Sequence, residues 1–173
     1  MKIFWKILII TFLIFSTNNL FADSPYFIDF QKILNESTAG KKAQKELKSK
    51  LDQSISKLNK TQKDLQEQEK KVIQQKKLIS ADEYKKQVME LRKKVSELQK
   101  NRSEALSKIS KQRAKAKNEL LKNLNPLIKE YMQKKNIRMV INKKNLILAD
   151  ENLDITNDVM KLLNDKIKSV KID

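Results

Sequence analysis

The 173-residue sequence contains no cysteine, no histidine, one glycine and two prolines. Each shortage closes off a class of chemistry. Without Cys there is no disulfide and no thiol nucleophile. Without His there is no imidazole base and no ordinary zinc or haem ligand set. The lone Gly40 excludes a Gly-rich phosphate cradle, because the Walker and dinucleotide fingerprints both need several glycines at fixed spacing. Gly and Pro are too scarce for a collagen-like chain or a flexible linker. No convergent acid, base and nucleophile set is visible, so no catalytic or metal-binding residue is assigned and no cofactor is expected; an enzyme is the least favoured class.

Positive charge is what the chain has in excess: 38 Lys+Arg against 21 Asp+Glu, a net +17. Its first residues read as an address. Lys2 and Lys6 precede an apolar run from Ile7 to Phe15, then a polar patch and Leu20-Phe21-Ala22. A positive end, a short greasy centre and a small residue are the layout of a cleavable secretory signal. Residues 3–15 offer only 13 positions, with Lys6 and Thr11 among them. A membrane span needs about 20 apolar residues. Cleavage is expected after Ala22, with export out of the cytoplasm. Removing 1–22 takes two Lys and no acid, which leaves +15, and leaves five aromatics: Tyr26, Phe27, Phe30, Tyr84 and Tyr131.

Residues 41–135 form the arm. They contain no Gly, one Pro (Pro126), 28 Lys+Arg and 12 Asp+Glu, a net +16. The flanks 23–40 and 136–173 therefore sum to −1, and form a split, β-prone body. The arm is rich in good helix formers, Lys, Gln, Glu, Leu and Ala. Leu51, Leu58, Leu65, Val72 and Ile79 recur every seven residues. The pattern restarts with Val88, Leu91, Val95 and Leu98, and continues through Ile109 to Leu120. Between them, Ser80 with Glu83 three residues later is a capping box, the start of a new helix. Two heptad helices joined at a sharp break predict an antiparallel coiled-coil hairpin with its tip near 79–83. Each limb should be about 60 Å long. Ser54, Thr61, Gln68, Arg102 and Gln112 interrupt the seam, so little apolar area is buried along it. Glu46 with Lys50 and Glu104 with Lys108 have the spacing of supporting ion pairs. Pro126 is expected to kink or restart the second limb.

In the flanks, 26–30, 137–141 and 146–149 read as three short strands, the last two joined as a hairpin by 143–145. Asn136 suits a left-handed helix end. Ile155, Val159, Leu162, Leu163, Ile167 and Val170 predict a terminal amphipathic helix. Phe27, Phe30, Val140, Ile141, Leu146 and Leu148 are the expected packing residues of the body. Fifty-six flanking residues (18 and 38) with open strand edges are marginal alone, so oligomerisation is expected to complete them.

Three pieces carry a family likeness: 28–37 followed by Gly40-Lys41-Lys42-Ala43, then 78–83, then Val140-Ile141-Asn142 with 148–156 and 159–164. In this order around a Lys-rich arm and behind a signal, they resemble the Skp/OmpH family of periplasmic chaperones across the mature chain. The resemblance implies a mainly α fold with a small β body, assembled as a jellyfish-shaped homotrimer around a central β-barrel. It also implies ATP-independent binding of unfolded outer-membrane proteins between the arms, which keeps them from aggregating. Asn142 stands where an Asp is common in that family, and no role is assigned to it. On this reading Leu78, Ile79, Tyr84, Val88 and Met89 are candidate client contacts near the tip, and the cationic field also suits anionic lipid or lipopolysaccharide headgroups. Two rivals stay open: an envelope scaffold without a client cavity, and a basic nucleic-acid-binding coiled coil. A signal peptide and the lack of interleaved aromatics argue against the second, so no nucleic-acid partner is expected.

Overall fold

A computed structural model describes residues 24–172. The expected signal peptide lies outside the described residues. Strand β1 (Tyr26–Ile28) leads into a short helix α1 (Phe30–Glu36) and then the two long limbs, α2 (Thr38–Gln75) and α3 (Ala81–Lys135). Strand β2 (Val140–Asn142), two 3₁₀ turns at 143–145 and 151–153, and helix α4 (Thr156–Lys166) complete the chain.

Local chemistry sets each boundary. Asp29 caps α1, its carboxylate accepting from the Lys32 amide at 2.8 Å. Ser37 serves two helices. Its amide donates to the Ile33 carbonyl to close α1, and its Oγ accepts from the Gly40 amide at 3.1 Å to open α2. Ser80 opens α3 by accepting from the Glu83 amide at 3.2 Å, where the capping box was read. The other end of α3 stops at Asn136, in the left-handed conformation at φ 53°. Pro126 does not restart the limb: α3 runs through it as one helix. Leu120, Leu124 and Leu127 are buried on either side of it, and their packing holds the turn that the proline weakens.

The limbs are unequal. At 1.5 Å per residue α2 is about 57 Å long and α3 about 82 Å. The extra length of α3 is the floor of the body. There Leu120, Leu124 and Leu127 meet Ile28, Ile33 and Ala39 from the N-terminal elements, Ile137, and Ile155, Val159 and Leu163 from the C-terminal ones. Each fully buried aliphatic side chain contributes about 1.5–3 kcal/mol. The core therefore sits at one end of a rod.

The sheet differs from the expected three strands. It has two, and they are parallel, Tyr26 opposite Val140 and Ile28 opposite Asn142. The whole hairpin is the crossover that parallel pairing requires. The strand expected at 137–141 is confined to 140–142, because Ile137 turns into the core directly after the helix stop. Phe30 lies in α1, not in the first strand. The expected hairpin at 143–145 is a 3₁₀ turn capped by Asn142, whose side-chain oxygen accepts from the Lys144 amide at 3.1 Å. Residues 146–149 are not a strand: they have no ladder partner among the described residues, and β1 is flanked on its second side by Asp154 instead. The terminal helix ends at Lys166, so Ile167 and Val170 lie beyond it.

Candidate functional site

The tip is built by a tight turn. The amides of Leu78 and Ile79 both donate to the Gln75 carbonyl, at 2.8 and 3.2 Å, and fold the chain back on itself. Leu78 is left 82% exposed and Met89 49%, while Ile79, Tyr84 and Val88 are half-buried. Lys76 Nζ stands 5.8 Å from the centroid of the Tyr84 ring, a cation–π contact that ties the two limbs together at the turn. The five candidate contacts thus cluster around one turn, and Leu78 presents the most open apolar surface among them.

Along the arm the seam is closed only in places. Leu65 and Leu98 are buried; Leu51, Leu58, Val72 and Leu91 are half-buried; Val95 is 43% exposed. Polar residues bridge the rest: Lys94 donates to Gln68 at 2.8 Å and Arg102 to Gln62 at 3.0 Å. A gap of about 290 Å³ opens beside them, lined by Thr61, Gln68 and Asn101 among others. Of the expected pairs, Glu46 meets Lys50 at 3.4 Å, whereas Glu104 faces Lys100 at 3.9 Å.

The body presents an edge. Phe27 is buried, Phe30 and Val140 pack half-buried against the core, and Ile141 and Leu146 are half-buried. Beyond them Ile147 is fully exposed and Leu148 92% exposed. An open edge at β2 followed by bare aliphatic side chains is a surface that favours another chain.

Polar ties hold the N- and C-terminal parts of the body together. Thr156, almost fully buried, accepts from the Asp29 amide at 2.8 Å, and its own amide and hydroxyl both donate to Asp154. Lys143 lies 3.7 Å from the same carboxylate and over the Phe27 ring. On the outer side Glu130 accepts from Lys134 at 2.8 Å and from Lys166 at 2.9 Å. These two ammonium groups, Lys134 first, hold its carboxyl down at about 2. Tyr131 donates to Asp158 at 2.5 Å. Burial, then that bond, pushes its phenol up to about 12.

A feature that no local sequence pattern marks lies at the base of the hairpin. Here a groove of about 810 Å³ runs between α1 and the two limbs. Leu34, Leu47, Leu51 and Leu120 give it an apolar floor, Val170 of the returning tail closes one side, and Lys41, Lys45, Lys48, Arg113 and Lys117 form a cationic rim. Its walls come from segments dozens of residues apart, so no contiguous motif announces it. The one available signal was Val170 and Ile172 two apart, a strand-like spacing just past a helix.

Among the described residues no group of acidic side chains is placed to hold a metal ion, and no helix is long and apolar enough to cross a membrane. The geometry is a long cationic helical hairpin rising from a small α/β body. The profile of the family described as outer membrane protein (OmpH-like) matches residues 26–163, and the chain belongs to that family. A search of curated proteins finds no match. Among solved structures, a candidate outer membrane chaperone (OmpH-like) from Caulobacter crescentus CB15 superposes with a TM-score of 0.80 at 22% identity. The match covers 87% of this chain and 90% of that one, and shows the shared fold.

Proposed function

We propose that this protein is a periplasmic, ATP-independent holdase that binds unfolded outer-membrane proteins between its arms and keeps them from aggregating. The observation that carries the reading is the arm: a rod with a net +16, a loosely closed seam and bare Leu78 and Met89 at its tip. Towards its tip such a surface offers many weak contacts that impose no single conformation on a client. An unfolded β-barrel strand exposes alternating apolar side chains and unpaired backbone groups, which otherwise pair with other chains. The Leu78, Ile79, Tyr84, Val88 and Met89 side chains meet the apolar positions, and long Lys stems supply mixed apolar and cationic surface around them.

The body supports assembly. The β2 edge and residues 146–149 together form the surface on which sister copies complete one another, with three copies the arrangement implied by the family likeness. Residues 23–40 and 136–173 then act as the oligomerisation body, 41–135 as the arm, and 1–22 as the export signal. The chemistry is binding, with no catalytic step. Anionic lipid headgroups are secondary ligands of the same cationic field.

The test is light scattering of a urea-denatured outer-membrane protein diluted into buffer with the mature protein. Suppression at near-stoichiometric ratio is expected, with partial loss in a Leu78→Ser/Met89→Ser variant. Unchanged aggregation would leave the envelope-scaffold reading in its place.

A further inference from the structure

We propose that the groove at the hairpin base binds extended peptide segments that alternate apolar and acidic side chains, and that the C-terminal tail, residues 167–172, is its resident competitor. The proposal rests on the chaperone reading and adds a client contact far from the tip.

The tail shows what the groove accepts. After Lys166 the chain becomes extended, with Ile167 at φ −126° and ψ 113°. Val170 and Ile172 then turn to the same side, while Lys171 between them is exposed. Ile172 is 2% exposed against Ala43, Leu47 and Ala116, and Val170 packs on the same cluster and forms part of the groove wall. Side chains at i and i+2 on one face are the signature of an extended strand. The small Ala43 and Ala116, one on each limb, leave room for them. The hairpin base therefore already seats a short strand-like segment. The tail also follows residue 163, the last residue matched by the family profile.

The tail's charge is wrong for its place. The groove is lined by five cations and by no Asp or Glu. The tail adds Lys168 and Lys171 against one acid, Asp173, and so stays net positive. Its apolar side chains fit while its charges oppose the rim. A segment with the same apolar alternation and acids at the intervening positions keeps the fit and reverses the repulsion. Strands of outer-membrane barrels alternate apolar and polar residues in this way. Charge complementarity and the seated tail together select this occupant: a helix would not place its side chains at i and i+2, and a neutral chain would make no use of the rim.

The experiment titrates the purified mature protein with a short fluorescent peptide that alternates Val and Asp, read by anisotropy. Ile172→Lys removes the buried apolar anchor, adds a like charge beside the rim, and so frees the groove; it should tighten binding about tenfold. Val170→Ser is the milder second variant, should the first fail to fold. Arg113→Glu/Lys117→Glu, at exposed positions, should weaken binding about tenfold, and a peptide with Lys in place of Asp should bind more weakly than the acidic one. Equal affinity in the tail variants, indifference to the charge reversal, or equal binding of the two peptides would overturn the proposal. Aggregation suppression is measured on the same preparations. If suppression persists while the peptide titrations fail, the groove assignment falls and the holdase reading stands. If the wild type suppresses nothing, the holdase reading itself has failed.

Discussion

At Gly40 a methyl group has nowhere to go: a Cβ built there would lie 2.2 Å from the Leu34 carbonyl oxygen and 2.9 Å from Ser37 Oγ. The only glycine in the chain stands where the end of α1 crosses the first turn of α2. Gly40→Ala must push the two helices apart, at a cost of about 1–3 kcal/mol. Urea unfolding followed by circular dichroism should show the midpoint fall; an unchanged midpoint would mean the junction is looser than described. The docking of α4 has a pH dependence of known sign. Glu130 titrates at about 2 in the folded chain against an ordinary 4.5. Its contribution is therefore complete above 4.5 and lost as pH falls towards 2. Tyr131 titrates at about 12 against an ordinary 10, so its contribution is complete below 10 and lost as pH rises through 12. Urea-unfolding midpoints measured across pH should fall at both extremes. Glu130→Gln should flatten the acid limb and Tyr131→Phe the alkaline one, and wild-type slopes in both variants would contradict the assignment.

The elements show where local patterns suffice and where they do not. Ser80 with Glu83, Asn136 after two lysines, and leucines seven apart are local signals, and they mark α3 and the turn because helix caps and heptads are short-range devices. Residues 146–149 do not form the expected strand, for the opposite reason. A run of Leu, Ile and Leu becomes a strand only if a neighbouring edge pairs with it, and within this chain β1 already lies between β2 and Asp154. Pro126 is a further case. In isolation it weakens the helix, yet α3 continues because buried leucines flank it. Pro126→Ala restores an amide proton and removes the ring from the position of the Lys122 carbonyl. A rise of up to about 3 kcal/mol in unfolding free energy is expected, read from the denaturant midpoint. A fall would show that the proline shapes the packing of α3 on the body.

Across the whole molecule, the core sits at one end while the surplus positive charge runs the length of the arm. Arms carrying +16 each repel when brought side by side, and the groups interact over about 8 Å at physiological salt. Affinity for an acidic unfolded client should fall between low and high salt, measured by titration at matched protein concentration. An affinity indifferent to salt would remove charge from the mechanism. The small body and its bare Ile147 and Leu148 predict that the processed protein sediments as an oligomer whose mass drops on Ile147→Lys/Leu148→Lys. Composition and periodicity by themselves determined the cationic hairpin and its turn at Ser80, since net charge, heptads and caps need no distant partner. Only the tertiary structure decided that the strands run parallel, that α3 doubles as the floor of the body, and that a groove forms where the tail returns to the hairpin base. Each of these joins residues far apart in the chain, whose meeting is set by how the core packs and by no pattern that neighbouring residues carry.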